Sequence, residues 1–171
     1  VSRAAAAPRA TIDIDIQDAQ WLLQQRTVRA LCRRAVQAAL AGAPRRQPAP
    51  VALAIALADD AAVRVLNRDF RGKNKPTNVL SFPADGRATA PGAPRFLGDI
   101  VLARQTVMRE ARAQRKRLAD HLTHLVVHGT LHLLGYDHEV DAEAERMERL
   151  EVRILAGLGV ADPYQDFSPP A

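Results

Sequence analysis

Hydrophobic and polar positions along the chain fall into runs with two periods. Thr11 to Ile16 alternates isoleucine with aspartate, the mark of a half-buried strand. From about Asp18 to Ala41 a helix offers Trp21, Leu22, Val28, Leu31, Val36 and Leu40 for burial, and Gly42 and Pro44 end it. Residues 43–50 form a loop, and Val51 to Ala58 is a buried or alternating strand. Asp59 or Asp60 caps the next helix, which carries Ala62, Val63, Leu66 and Phe70 and stops at Gly72. A basic loop leads into a short strand, Asn78 to Phe82, and a Pro-, Gly- and Ala-rich connection follows at 84–95. Phe96 to Ala103 is another strand, with Gly98 and Asp99 marking a bulge. Helices over 104–116, 118–134 and 139–157 complete the pattern. Residues 1–10 read as a disordered extension, 11–164 as a single domain and 165–171 as an irregular tail. Strands and helices mix without strict βαβ alternation. The fold class is therefore α+β: a small mixed β-sheet packed against helices, one of them a buried central helix.

That central helix is the most unusual stretch. All five histidines of the chain lie between His121 and His138, and residues 121–134 hold only apolar residues, His, Thr and one Gly. A helix apolar nearly all round is a buried one. At about 100° per residue, His121, His124, His128 and His132 fall within an arc of roughly 80°. An unpaired buried polar group costs on the order of 1–3 kcal/mol, so this stripe needs partners. His128 and His132 are spaced i, i+4 to close on one ion, Gly135 turns the chain, and His138 follows at i+10. This is the register of the zinc-protease pattern H-E-x-x-H-x-x-G-x-x-H, with the general-base Glu replaced by Gly129. Three His ligands, His128, His132 and His138, with one open position make a catalytic rather than a structural zinc arrangement. The plain alternative is a core helix whose imidazoles satisfy one another and nearby carbonyls. That alternative suits His121 and His124.

Composition narrows the setting. The chain has 171 residues, enough for one domain with a proper core. Its longest apolar run, Val51 to Ala58, is too short to span a bilayer, and the amino terminus does not resemble a secretory signal. Cys32 is alone, which leaves no disulfide framework and no cysteine metal site. Cytoplasm is the default location. The net charge of +5 hints at a polyanionic partner. Arg104 to Arg117 is strongly basic and 139–151 strongly acidic, so one basic and one acidic surface are expected, unless both are ordinary solvated helix faces.

Two stretches together, HGTLHLLGYDH at 128–138 and LNRDFRGKNKPTNVLSFP at 66–83, resemble the YbeY family of bacterial endoribonucleases. FLGDIVLA at 96–103 and ADPY at 161–164 are similar to it as well; Phe70 stands where tyrosine is frequent. The resemblance implies a single-strand-specific, metal-dependent RNase. It would act in ribosomal RNA maturation, especially at the 3′ end of small-subunit rRNA, and in ribosome quality control. It implies one zinc ion per chain on His128, His132 and His138, and a functionally required arginine at Arg71. Single-stranded and ribosomal RNA are the implied partners, with small-subunit proteins and assembly GTPases beside them, and no membrane.

The residues permit that chemistry. Zinc lowers the pKa of water and polarises a phosphoryl oxygen. Arg71 offers a planar fork for phosphate, and Lys73 and Lys75 can hold flanking phosphates. Arg71 and His128 are thus the candidate catalytic residues, and Arg71, Lys73 and Lys75 the RNA-binding ones. Asp137 is a candidate for orienting a ligand imidazole, or else a turn-forming aspartate. Ser81 has no recognisable triad partner, and Asp99 stays open. Two other readings remain: a zinc hydrolase of another class, which Gly129 disfavours, and a non-catalytic ribosome-assembly factor with structural zinc.

Overall fold

The computed structural model describes residues 9–44, 50–85 and 87–165. Residues 1–8 and 166–171, most of the expected extension and tail, lie outside the described residues. The elements are β1 (Ala10–Ile16), α1 (Gln20–Gln24), α2 (Val28–Gly42), β2 (Val51–Ala58), α3 (Asp60–Arg71), β3 (Val79–Pro83), β4 (Arg95–Ala103), α4 (Arg104–Ala113), α5 (Leu118–Leu133) and α6 (Asp141–Gly157). The strands form one sheet in the order β1-β2-β4-β3. β1, β2 and β4 run parallel, and β3 pairs antiparallel with β4. The α+β expectation, a small mixed sheet against helices, holds. The first strand begins at Ala10, opposite Val51, so that residue belongs to the sheet rather than to the extension.

Strand β2 shows why the sheet sits where it does. Val51, Leu53, Ile55 and Leu57 alternate into the main core, with α2, α5 and α6 supplying the other side. Ala52, Ala54 and Ala56 face the opposite way and are only partly covered. A smaller cluster of Ala58, Val63, Leu80, Val101 and Ala103 lies under α3 on that second face. Asp59 caps α3, its carboxylate accepting from the amide of Ala62 at 2.9 Å. Each free rim of the sheet receives an arginine: Arg33 donates to the Ile12 carbonyl of β1, and Arg71 to the Ser81 carbonyl of β3, both at 2.9 Å.

The single helix expected over 18–41 is broken. Gln25 is extended, with φ −147° and ψ 95°, and α2 starts afresh at Val28. The first piece is anchored to a strand distant in sequence. Trp21 is fully buried, and its indole N–H donates to the Ala58 carbonyl at 2.9 Å, which pins α1 to the end of β2. Leu22, expected inside, is 37% exposed. Cys32 is buried in α2, and burial pushes its thiol up to about 12, so it is an inert core residue.

The bulge expected at Gly98 and Asp99 is present. Ala52 pairs with Phe96 and Ala54 with Asp99, leaving Leu97 and Gly98 opposite Leu53. Gly98 has φ +138°, and a Cβ there would lie 2.2 Å from the Phe82 carbonyl oxygen and 2.9 Å from a Leu133 methyl. Strain and overpacking each cost roughly 1–3 kcal/mol. Gly98→Ala is therefore expected to lose about 3 kcal/mol of stability by denaturant titration, and a loss under about 1 kcal/mol would contradict this packing.

Candidate metal centre and cleft

Helix α5 is buried along Leu122, Leu125, Val126 and Leu131, and its end is set by the chain itself. Gly135 adopts φ 93°. Its amide donates to the His132 carbonyl at 3.0 Å, and that of Tyr136 to the Leu131 carbonyl at 3.1 Å. This crossed pair is the Schellman stop, and it swings His138 back toward the helix. The Nε2 atoms of His128 and His132 stand 3.0 Å apart. The His138 ring centroid lies 4.9 Å from that of His132 and 5.8 Å from that of His128. One nitrogen from each ring lies within 4.8 Å of the others, a set that could hold a metal ion. Three imidazoles without a thiolate suit a borderline transition metal such as zinc. Burial, then the neighbouring His128 and His138, push the pKa of His132 down to about 4, so its ring is neutral and available as a ligand near pH 7.

The fourth partner of this centre lies on α6. Glu151 has no exposed surface, and its Oε1 meets Nδ1 of His128 at 2.5 Å. Its Oε2 meets Nε2 of His124 at 3.2 Å and accepts from the Tyr164 hydroxyl. Burial pushes this carboxyl up, but hydrogen bonds from His124, His128 and the Tyr164 hydroxyl outweigh it and hold the group at about 2. A carboxylate only accepts, so His128 carries its proton on Nδ1 and turns the Nε2 lone pair to the cleft. The sequence reading placed Glu151 on an acidic surface. The signal that finds it is the buried stripe of α6, Met147, Leu150, Glu151, Ile154 and Leu155, in which a lone carboxylate interrupts an apolar face.

Asp137 makes the contact of the turn-forming alternative. Its Oδ1 accepts from the main-chain amide of His138 at 2.7 Å, so it holds the loop that carries the ring, while the ring-orienting carboxylate is Glu151. His121 is a core histidine, 4% exposed, with Nε2 2.8 Å from Glu110, which also accepts from Asn78. Asp99 is exposed on the partly covered face of the sheet, paired with Ala54 and Phe82. Ser81 donates to the Gly129 carbonyl at 3.4 Å.

A cleft of about 790 Å³ joins the pieces. Arg71, Lys73 and Lys75 line it together with His128, His132 and His138. The basic loop is held by Asn67, a buried residue the sequence reading passed over, whose amide donates to the Lys75 carbonyl at 2.8 Å. Arg71 is fixed by its bond to Ser81. Gly129 brings α5 against the sheet: a Cβ there would lie 3.1 Å from both Ile100 and the Ser81 hydroxyl. Position 129 therefore faces the sheet at Ile100 and Ser81. The basic helix is partly committed elsewhere, with Arg104 on Asp18 at 2.5 Å and Arg109 on Asp60 at 3.3 Å.

Glu151→Gln keeps the shape of the side chain and removes the charged acceptor for the His128 N–H. Loss of such a partner typically weakens metal binding 10- to 100-fold. That weakening is expected in a chelator competition. Unchanged affinity would reduce Glu151 to a packing residue.

The family model described as Endoribonuclease YbeY matches residues 13–159. The chain is 49% identical over 160 residues to the Endoribonuclease YbeY of Chelativorans sp., covering 94% of this chain and 96% of that protein. It is 51% identical over 156 residues to the protein of that name from Paramagnetospirillum magneticum, covering 90% of this chain and 94% of the other. Its fold is similar to the solution structure of a Thermotoga maritima protein, with a TM-score of 0.51 and 22% identity over 91% of this chain and all of that one. Among the described residues no helix is long and apolar enough to cross a membrane. With the matched segment running from β1 to the end of α6, the chain belongs to the endoribonuclease YbeY family.

Proposed function

We propose that the protein is a zinc-dependent endoribonuclease that cuts single-stranded RNA. Residues 11–164 act as one catalytic unit in the cytoplasm, in ribosomal RNA maturation, above all at the 3′ end of small-subunit rRNA, and in ribosome quality control. One zinc ion sits on His128, His132 and His138. Small-subunit proteins and assembly GTPases are its protein partners. The observation that carries this reading is a single cleft in which a guanidinium and two lysines share the lining with three convergent imidazoles.

When bound, the ion supplies Lewis-acid charge at the scissile phosphate. The chain's own residues do the rest. Glu151 fixes the ring of His128, and the Asp137 turn sets the loop of His138. Arg71, anchored through one nitrogen to Ser81, keeps its remaining N–H groups for phosphate. The phosphorane carries more negative charge than the diester, so a second fixed cation lowers its energy more than that of the ground state. Lys73 and Lys75 hold flanking phosphates as point charges. The protease alternative is disfavoured because Gly129 stands where that pattern keeps its general-base Glu, so no carboxylate is supplied at that position.

A nuclease assay with and without chelator tests this reading against that of an assembly factor with structural zinc. Cleavage is expected to vanish with chelator and return with zinc. Arg71→Ala is expected to lower kcat by roughly 10²- to 10³-fold with metal content intact, and Arg71→Lys to restore it only in part. A wild-type rate for Arg71→Ala at saturating RNA would remove the arginine from the transition state.

Salt dependence separates the lysines from the arginine. RNA binding is expected to weaken steeply with salt, and replacing Lys73 and Lys75 together to flatten the log–log slope by about 0.7 per lost contact. A slope unchanged in the double variant would take both lysines out of the interface.

A further inference from the structure

The apolar stripe of α3 runs out of the core before the helix ends. Val63 is fully buried and Leu66 packs against the smaller cluster, yet Phe70, one turn further on, is 68% exposed. Its ring meets that of Phe82 edge-on, centroids 5.4 Å apart at 65°. The Arg71 guanidinium lies over the Phe82 ring, 5.9 Å from its centroid, while donating to the Ser81 carbonyl. Phe70, Phe82 and Arg71 therefore form one ledge on the α3 side of the sheet, and it adjoins the cleft through Arg71, which lines it. The edge contact fixes the Phe70 ring and leaves much of it in water.

The surroundings say what fits there. Between residues 68 and 75 the chain carries Arg68, Arg71, Lys73 and Lys75 against Asp69 alone. Cations near an open aromatic face, with Arg71 held by Ser81, are the makings of a single-stranded nucleic-acid path, where backbone phosphates track the charges and bases stack on the rings. We propose that Phe70 is the stacking platform for an unpaired base of the bound RNA, next to the nucleotide whose phosphate meets Arg71. This rests on the endoribonuclease reading above and supplies its strand selectivity. A base within a duplex is already stacked and has no free face for Phe70, whereas an unpaired one does. Phenylalanine offers no hydrogen-bonding tip, so the platform takes any base.

The test uses the zinc-loaded full chain and a short single-stranded RNA with one nucleotide replaced by an abasic unit at successive positions. Base–aromatic stacking of this kind corresponds to roughly a 5- to 100-fold change in affinity. Phe70→Ala is expected to raise KM by that factor with kcat nearly unchanged, and Phe70→Tyr to behave as wild type. One abasic position is expected to weaken binding to the native protein and to leave Phe70→Ala indifferent. In Phe70→Trp the new indole is expected to be quenched by the single strand and not by the duplex, while the buried Trp21 stays constant. A Phe70→Ala enzyme with native KM and the native abasic profile overturns the proposal, leaves the ribonuclease reading intact and assigns the ledge to a protein contact. A native protein that neither binds nor cleaves RNA overturns both.

Discussion

A carboxylate without any exposed surface, Glu151, ties together three separate stretches of this chain. It reaches His124 and His128 on α5 from its own place on α6, and it receives the hydroxyl of Tyr164 beyond the end of that helix. A buried charge is tolerated only where partners surround it, and removing one partner commonly costs 3–5 kcal/mol. Two of the partners also have a geometric task. The bond to His128 decides which of its two nitrogens faces the cleft, and the Tyr164 bond holds the segment after α6 over the same group. The direction of the lone pair that His128 turns to the cleft is thus set by the packing of α5 on α6.

On its other side α5 is set by its approach to the sheet. Gly129 lets the helix backbone settle against Ile100 and Ser81, and Gly98 lets β4 pass the end of β3 and Leu133. Ser81 joins two of these contacts: its hydroxyl donates to the Gly129 carbonyl, and its own carbonyl accepts from Arg71. A single residue of an edge strand therefore fixes the spacing between the imidazole wall and the guanidinium wall of the cleft. The basic loop completes the frame, because Asn67 anchors Lys75 to α3.

Much of this could be read in the sequence because the signals are local. The i, i+4, i+10 histidines, the Gly135 turn and the Asp59 cap depend on neighbours along the chain, and so does the alternation of β2. What stayed hidden depends on contacts distant in sequence. The break between α1 and α2 follows from the bond of Trp21 to Ala58, which no period reveals. Glu151 lies in a run of acids that looks solvated, and only its position on the buried stripe of α6 sets it apart. Asp137 was legible only as one of two things, a partner for an imidazole or a turn former, and its carboxylate accepts from the main-chain amide of His138, the turn-forming contact.

Both free rims of the sheet end on a guanidinium, Arg33 over the Ile12 carbonyl and Arg71 over the Ser81 carbonyl. A bare strand edge is a template on which a second chain can add its own strand, and natural proteins block such edges with charge. A cation seated on the outward carbonyl does this at each side. On the β3 side the blocking charge is also the one that faces the cleft, so that rim needs no separate guard. Colloidal behaviour and the charge of the cleft wall are thereby coupled through one side chain: a variant without a positive charge there would also expose a strand edge to self-association.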